Sequence, residues 1–139
     1  MAIFIDTGIF VAARNRSDNL YEKAMPLMER ALRGEFGRVC TSDFIVDEAV
    51  TTALARTHRH DLAVKTGRSI INSPRIELLS VGRGEFRSVW DKFQKLSERP
   101  MSFTDCTSLA LMEAHGIEKI MSFDAEFDGL VARVPSSTY

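Results

Sequence analysis

The sequence predicts an α/β fold with a largely parallel β-sheet, and two observations support this prediction. Short, continuously apolar runs such as Ala2–Ile5 are typical of strands that are buried on both faces of a sheet. These runs alternate with longer segments whose apolar residues recur at helical spacing, which is the order expected when crossover helices join parallel strands. With 139 residues, 45% of them hydrophobic, the chain is long enough for a substantial core, and we expect one domain over residues 1–139.

The same patterns place each element along the chain. Apolar residues at a period near 3.6 mark the helices, and short apolar runs mark the strands. Pro26 lies within the second helical segment and is expected to kink or split it. The last residues, 136–139, are expected to be frayed. In chain order the sequence predicts a strand over 2–5, an apolar segment over 9–13, a helix over 20–32, a strand over 38–41, helices over 44–54 and 62–71, a strand over 76–81, helices over 86–96 and 105–114, and strands over 119–123 and 131–134.

Composition excludes several classes of protein. No apolar run approaches the ~20 residues of a membrane span, so no membrane association is expected. Cys40 and Cys106 lie in apolar elements without a metal or redox spacing, and we interpret them as reduced core thiols of a cytoplasmic protein. The net charge of −1 gives no overall attraction to nucleic acid, so RNA binding requires a local basic face. The candidates for that face are Arg14, Arg16, Arg56, Arg59 and Lys65.

Two further features have ordinary structural explanations. His58 and His60 form a His-x-His pair, but no third ligand lies nearby in the sequence, so a solvated basic turn is the preferred interpretation. Phe86, Trp90 and Phe93 form an aromatic stripe at helical spacing. We interpret this stripe as part of the core, with a base-stacking platform as the alternative.

Four acidic residues are expected at one edge of the sheet. Asp6 and Asp124 each follow an apolar strand, and Glu48 and Asp105 lie early in helices that begin at the same edge. Taken alone, Asp105 is also consistent with a simple helix cap, and Glu48 with a surface position. Like charges at ~4 Å repel by about 4 kcal/mol at an effective dielectric constant of 20, so such a cluster requires protonation or a bound cation.

The chemistry of these acids points to a hard divalent cation. The sequence has no convincing His/Cys set, which favours Mg²⁺ or Mn²⁺ over zinc. Divalent ions held by carboxylates are suited to phosphodiester hydrolysis, because they activate water and stabilise the in-line transition state.

Four short motifs, in order and at matching separations, resemble the motif blocks of the PIN domain family. The motifs are Ile3–Thr7, Ser42–Glu48, Ser102–Cys106 and Met121–Asp128. The resemblance covers nearly the whole chain and is greatest to the small, single-domain PIN proteins of VapC-type toxins. It implies a PIN-like α/β/α sandwich in which helices flank a four- to five-stranded, mainly parallel sheet.

The resemblance also assigns site residues. Thr7 and Thr104 match supporting hydroxyl positions beside the first and third acids, and either would orient water or a carboxylate. Asp128 is an alternative fourth acid. The acids that the resemblance assigns to catalysis and to the binding of Mg²⁺ or Mn²⁺ are Asp6, Glu48, Asp105 and Asp124.

The function implied by the resemblance is a metal-dependent endoribonuclease that acts as the toxin of a type II toxin–antitoxin pair. Its expected partners are an RNA substrate, a small antitoxin protein and a second copy of the chain in a homodimer. One alternative is a non-catalytic or rRNA-processing PIN module that binds RNA or protein partners. A receiver-like phospho-acceptor domain is disfavoured, because Asp6 has no acidic neighbour.

Overall fold

The computed structural model describes residues 1–136 and shows, over that range, five strands and six α-helices. The strands are β1 (Ala2–Ile5), β2 (Arg38–Ser42), β3 (Ile76–Leu79), β4 (Lys119–Met121) and β5 (Ala132–Val134). The helices are α1 (Thr7–Ala13), α2 (Tyr21–Leu32), α3 (Asp43–Thr57), α4 (His60–Ile71), α5 (Arg83–Lys95) and α6 (Phe103–Ala114), and a 3₁₀ helix covers Ala125–Phe127. The frayed end predicted for 136–139 falls, from residue 137 onward, outside the described residues.

The five strands form one parallel sheet in the spatial order β3-β2-β1-β4-β5. The predicted α/β class and the parallel sheet are therefore confirmed. The chain moves outward from β1 to β3 and then returns to β4, which pairs with β1, so the strand order reverses between β1 and β4. Open α/β sheets place their ligand sites at the carboxyl ends of the strands beside such a reversal.

Other parts of the chain cover both faces of the sheet. Successive side chains of a strand point to opposite faces, and Ile3, Phe4 and Ile5 of β1 are all fully buried. Right-handed crossovers place α1–α4, which connect strands progressing in one direction, on one face. The same rule places α5 and α6, which lead from β3 back to β4, on the other face, giving the predicted three layers.

The aromatic stripe of α5 is not part of the core, and this prediction is wrong. Phe86, Trp90 and Phe93 are 49%, 52% and 41% exposed, whereas Val89 is the one buried residue of this helix. The helical period places the three rings on one face of α5. The period contains no information on how far another element covers that face. Within the described residues, Phe103 of α6 contacts Phe86 and Phe93, with ring centroids 5.6 Å and 6.0 Å apart, and leaves all three rings about half exposed.

The helix α2 runs from Tyr21 to Leu32 as one element, so Pro26 does not split it. Proline lacks the N–H that would bond to the Glu22 carbonyl four residues earlier, which weakens the helix locally. Tertiary packing offsets this loss, because the apolar face of α2 is buried against the rest of the chain.

Cys40 and Cys106 are both fully buried free thiols, in agreement with their interpretation as core residues. His58 ends α3 in the left-handed conformation (φ 56°), and His60 begins α4. Both histidines are exposed, as expected of a solvated turn. Among residues 1–136, none of the helices combines the length and apolar character needed to cross a membrane.

Candidate active site

The carboxyl ends of β1 and β4 open into a cavity of about 450 Å³. Asp6 directly follows β1 and is the N-cap residue of α1, and Asp124 follows β4 as the N-cap residue of the 3₁₀ helix. Glu48 in α3 and Asp105 in α6 line the same cavity. The fold thus brings the four acids predicted from the sequence to one cavity, at the point where the strand order reverses.

Asp6 is the most deeply buried acid of this cavity, with 7% of its surface exposed. Burial raises the pKa of Asp6 to about 6, against an ordinary value of 3.8. A hydrogen bond from Ser122 Oγ to Asp6 Oδ2, at 2.6 Å, opposes this increase, and the negative charges of Asp105 and Glu48 add to it. The cavity therefore disfavours an uncompensated carboxylate at Asp6.

Asp105 caps its own helix and lines the cavity at the same time. Its Oδ2 accepts a 3.0 Å hydrogen bond from the Ser102 N–H, and Ser102 Oγ accepts one of 3.0 Å from the Asp105 N–H. This capping box holds the Asp105 carboxylate in a fixed orientation. Burial raises the pKa of Asp105, and the nearby negative charges of Asp124 and Glu48 raise it further.

Thr7 contributes a buried hydroxyl to the wall of the cavity. Thr7 lines the cavity, and its Oγ1 is buried and unpartnered among the described residues. A buried polar group in this state is unfavourable by roughly 1–3 kcal/mol. Its place beside Asp6 fits a hydroxyl that contacts a bound water or metal ligand.

The donor set of the cavity suits Mg²⁺ or Mn²⁺, because these ions prefer carboxylate and hydroxyl oxygens. Within residues 1–136, no three His, Cys, Asp or Glu side chains stand close enough together to surround one ion. The carboxylates instead stand apart around the cavity wall.

Two of the other predicted site residues lie outside the cavity lining. Asp128 forms an ion pair with Arg133, with Oδ1 2.8 Å from Nε and Oδ2 3.2 Å from Nη2. The Thr104 carbonyl accepts a hydrogen bond from the Thr107 hydroxyl within α6, and the Thr104 side chain is not among the cavity residues. The acid of the fourth motif that lines the cavity is Asp124.

The five predicted basic residues do not form one face. Arg56 lines the acidic cavity, whereas Arg14 and Arg16 line a second cavity beside α2. Arg59 is exposed and paired with Asp61 in the first turn of α4, and Lys65 is exposed on the same helix.

The sequence predicts a cap of the Asp105 helix by Ser102 or Thr104, and the structure shows that it is Ser102. Sequence reasoning missed two polar residues of this site: Ser122 bonds to Asp6, and Asp18, in the connection before α2, also lines the cavity. Ser122 lies within the fourth motif, so its position two residues before an acid is a usable signal. Asp18 lies in an irregular segment that has no such signal.

The chain belongs to the PIN domain family. The family model matches residues 3–131, which include all four acids.

Two curated relatives are similar over most of their length. The 23S rRNA-specific endonuclease VapC20 of Mycobacterium tuberculosis is 29% identical over 126 residues, covering 90% of this chain and 91% of the relative. The VapC ribonuclease of Archaeoglobus fulgidus is 25% identical over 128 residues, covering 91% of this chain and 80% of the relative.

Solved structures show the same fold. The crystal structure of M. tuberculosis VapC20, described as a sarcin–ricin loop cleaving toxin, superposes with a TM-score of 0.80 at 28% identity and covers 92% of this chain and 94% of that one. VapBC2 from Rickettsia felis, bound to a DNA fragment from its promoter, superposes with a TM-score of 0.68 at 12% identity, covering 96% and 97%.

Proposed function

We propose that this protein is a metal-dependent endoribonuclease and the toxin of a type II toxin–antitoxin pair. The observation that carries the proposal is the presence of Asp6, Glu48, Asp105 and Asp124 around one cavity at the carboxyl edge of the sheet. Relatives named as an endonuclease and as a ribonuclease support RNA as the substrate. The relative specific for 23S rRNA makes rRNA the first substrate to test.

The four acids would hold Mg²⁺ or Mn²⁺, which supplies an activated water and stabilises the charge that develops at the scissile phosphate. Ser122 and Ser102 hold the Asp6 and Asp105 carboxylates in fixed orientations through the hydrogen bonds described above. We assign a supporting role to Thr7, whose Oγ1 is buried and unpartnered among the described residues, as a hydroxyl next to Asp6 in the chain. This fixed set of oxygens removes part of the reorganisation that catalysis would otherwise require.

We further propose a small antitoxin protein as the natural inhibitor, a homodimer and a cytoplasmic location. The description of VapC20 as a toxin supports the first of these. The exposed face formed by Phe86, Trp90 and Phe93 supports the homodimer, because contiguous exposed apolar patches of this kind mark interfaces. The two buried thiols of Cys40 and Cys106 fit a reducing compartment.

The proposal is tested by incubating wild-type protein with a mixed pool of tRNA and rRNA, with and without Mg²⁺ or Mn²⁺. We expect discrete, metal-dependent cuts that fall at least ~100-fold in Asp105→Asn and in Glu48→Gln. Glu48 takes no part in a helix cap, so its variant separates loss of the site from loss of the capping box. Asp61→Asn, which changes an exposed acid in the first turn of α4, is the matched control and should cut normally.

Full activity in both cavity variants would contradict the proposal. A wild-type protein that neither cuts RNA nor binds Mn²⁺ in calorimetry would favour the alternative, a non-catalytic PIN module. The separation of the carboxylates around the cavity wall is the observation that keeps this alternative open.

A further inference from the structure

One face of α3 lines the acidic cavity and ends in a cation. Glu48, Thr52 and Arg56 are spaced four residues apart, so their side chains lie on the same side of the helix, and all three line the cavity. Eight residues of helix separate the Cα atoms of Glu48 and Arg56 by ~12 Å. Arg56 therefore lies at the end of the cavity wall that is farther from Glu48.

Asp18 anchors this cation. Arg56 Nη1 lies 3.5 Å from Asp18 Oδ2, and the side chain of Asp18 is only 11% exposed. The other carboxylate oxygen of Asp18 accepts a 2.8 Å hydrogen bond from the Leu20 N–H, which fixes its orientation. The Arg56 side chain is 63% exposed, so most of its N–H donors are available to a ligand.

Arg56 carries a positive charge in a cavity whose other charged residues are acids. Among the described residues that line the cavity, Arg56 is the single cation, facing Asp18 and the four acids of the candidate active site. Metal ions held by those four acids would neutralise the end of the cavity near β1 and β4. A polyanionic strand that leaves the metal site along α3 then meets Arg56 as the next positive charge. Guanidinium groups bind phosphate oxygens in a bidentate manner, which suits this position.

We propose that Arg56 binds a backbone phosphate of RNA next to the scissile bond, and that Asp18 is a positioning residue that directs its guanidinium into the cavity. The proposal rests on the ribonuclease function proposed above. Because the contact is to phosphate, it contributes affinity without sequence preference.

The test compares wild type with Arg56→Gln, Arg56→Lys and Asp18→Asn, using labelled single-stranded oligonucleotides in fluorescence anisotropy and Mn²⁺ in calorimetry. We expect Arg56→Gln to raise the RNA Kd about tenfold, because a hydrogen bond between charged groups is lost. The slope of log Kd against log salt should fall by about 0.7, the value for one phosphate contact on a single strand. Mn²⁺ affinity should not change, and Arg56→Lys should restore the salt slope and part of the affinity.

Asp18→Asn separates a positioning role from a merely structural one. It should weaken RNA binding by a factor of a few while leaving the salt slope intact, since the charge of Arg56 is retained. In a double-mutant cycle, Asp18→Asn should have no further effect in the Arg56→Gln background. Arg33→Gln is the matched control, because Arg33 is exposed, lies beside Glu29 and is not part of the cavity lining, and it should bind RNA as wild type does.

If Arg56→Gln binds RNA with the affinity and the salt slope of the wild type, the assignment of Arg56 is overturned. If the effects of Asp18→Asn and Arg56→Gln on the RNA Kd add in the double-mutant cycle, the assignment of Asp18 is overturned. If the wild type neither cleaves RNA nor binds Mn²⁺ but binds RNA in an Arg56-dependent manner, the ribonuclease function fails and the phosphate contact stands. A wild type that binds no RNA refutes both.

Discussion

Ser122 Oγ lies 2.6 Å from Asp6 Oδ2, and this hydrogen bond joins the carboxyl ends of β1 and β4. Ser122 is fully buried, and its carbonyl accepts a 3.0 Å hydrogen bond from Arg133 Nη1 in β5. Arg133 is in turn paired with Asp128. The orientation of the Asp6 carboxylate thus depends on contacts that extend to the edge strand of the sheet, and its pKa reflects a competition between burial and this hydrogen bond.

Replacing Asp6 by Asn should stabilise the metal-free protein near neutral pH. The pKa of Asp6 is about 6 in the folded state, against an ordinary value of 3.8. Asp6 therefore contributes its full share to the free energy of unfolding below pH 3.8, where it is protonated in both states. This contribution is lost as the pH rises through 6. The loss amounts to about 3 kcal/mol, and Asn avoids it because it carries no charge. Urea denaturation in EDTA between pH 4 and 8 measures the difference, which should increase up to about pH 7 and then level off.

The matched control for this prediction is Asp47→Asn, which changes an exposed acid on α3. The change that Asp47→Asn makes in the free energy of unfolding should not increase between pH 4 and 7 as the change made by Asp6→Asn does. A difference between Asp6→Asn and wild type that does not change with pH would contradict the assigned pKa.

Mn²⁺ should raise the melting temperature of the wild type by several degrees and have little effect on Glu48→Gln. A ligand present at 100 times its Kd stabilises the folded state by about 2.7 kcal/mol.

Metal affinity should decrease by about tenfold per pH unit below pH 6, because a protonated Asp6 does not ligate. Calorimetric titrations between pH 5 and 7.5 provide the measurement, and an affinity that is constant over this range would exclude Asp6 as a ligand.

Ser122→Ala should shift the acid limb of the pH–activity profile to higher pH. The hydrogen bond from Ser122 lowers the pKa of Asp6, so its removal leaves the effect of burial less opposed. Titration of the Asp6 carboxyl group by NMR measures the shift directly. Ser108→Ala removes another fully buried serine, one that bonds to the Thr104 carbonyl in α6, and should leave the profile in place. Equal profiles for all three proteins would rule out a positioning role for Ser122.

Trp90→Glu should convert the proposed homodimer into a monomer of 15.6 kDa. Trp90 is 52% exposed and stacks on Phe93 with an interplanar angle of 19°, at the centre of the exposed aromatic face of α5. A charge buried in an apolar interface without a partner is strongly unfavourable. Light scattering of Trp90→Glu and of the control Lys95→Glu measures the mass. A monomeric wild type would show that this face has another role.

The strands and the four acids follow from local signals. Apolar runs predict strands, and a parallel sheet brings all strand carboxyl ends to one edge, so Asp6 and Asp124 are expected to be neighbours despite their distance in the chain. The exposure of the α5 stripe was not predictable in this way. A period of 3.6 identifies a face of a helix, whereas burial depends on which element packs against that face.

The sequence by itself determined the α/β class, the parallel sheet and four of the five acids that line the cavity, because hydrophobic periodicity and residue position are local properties. Only the tertiary structure decided that Ser122 orients Asp6, that Asp18 anchors Arg56, and that Asp128 pairs with Arg133 outside the cavity. The first two of these contacts join segments that are distant in the chain, and the third joins two residues five apart across an irregular connection, so in each case the partners are set by how the chain packs. Hydrogen bonds and ion pairs act over a few ångströms, so no local pattern specifies them.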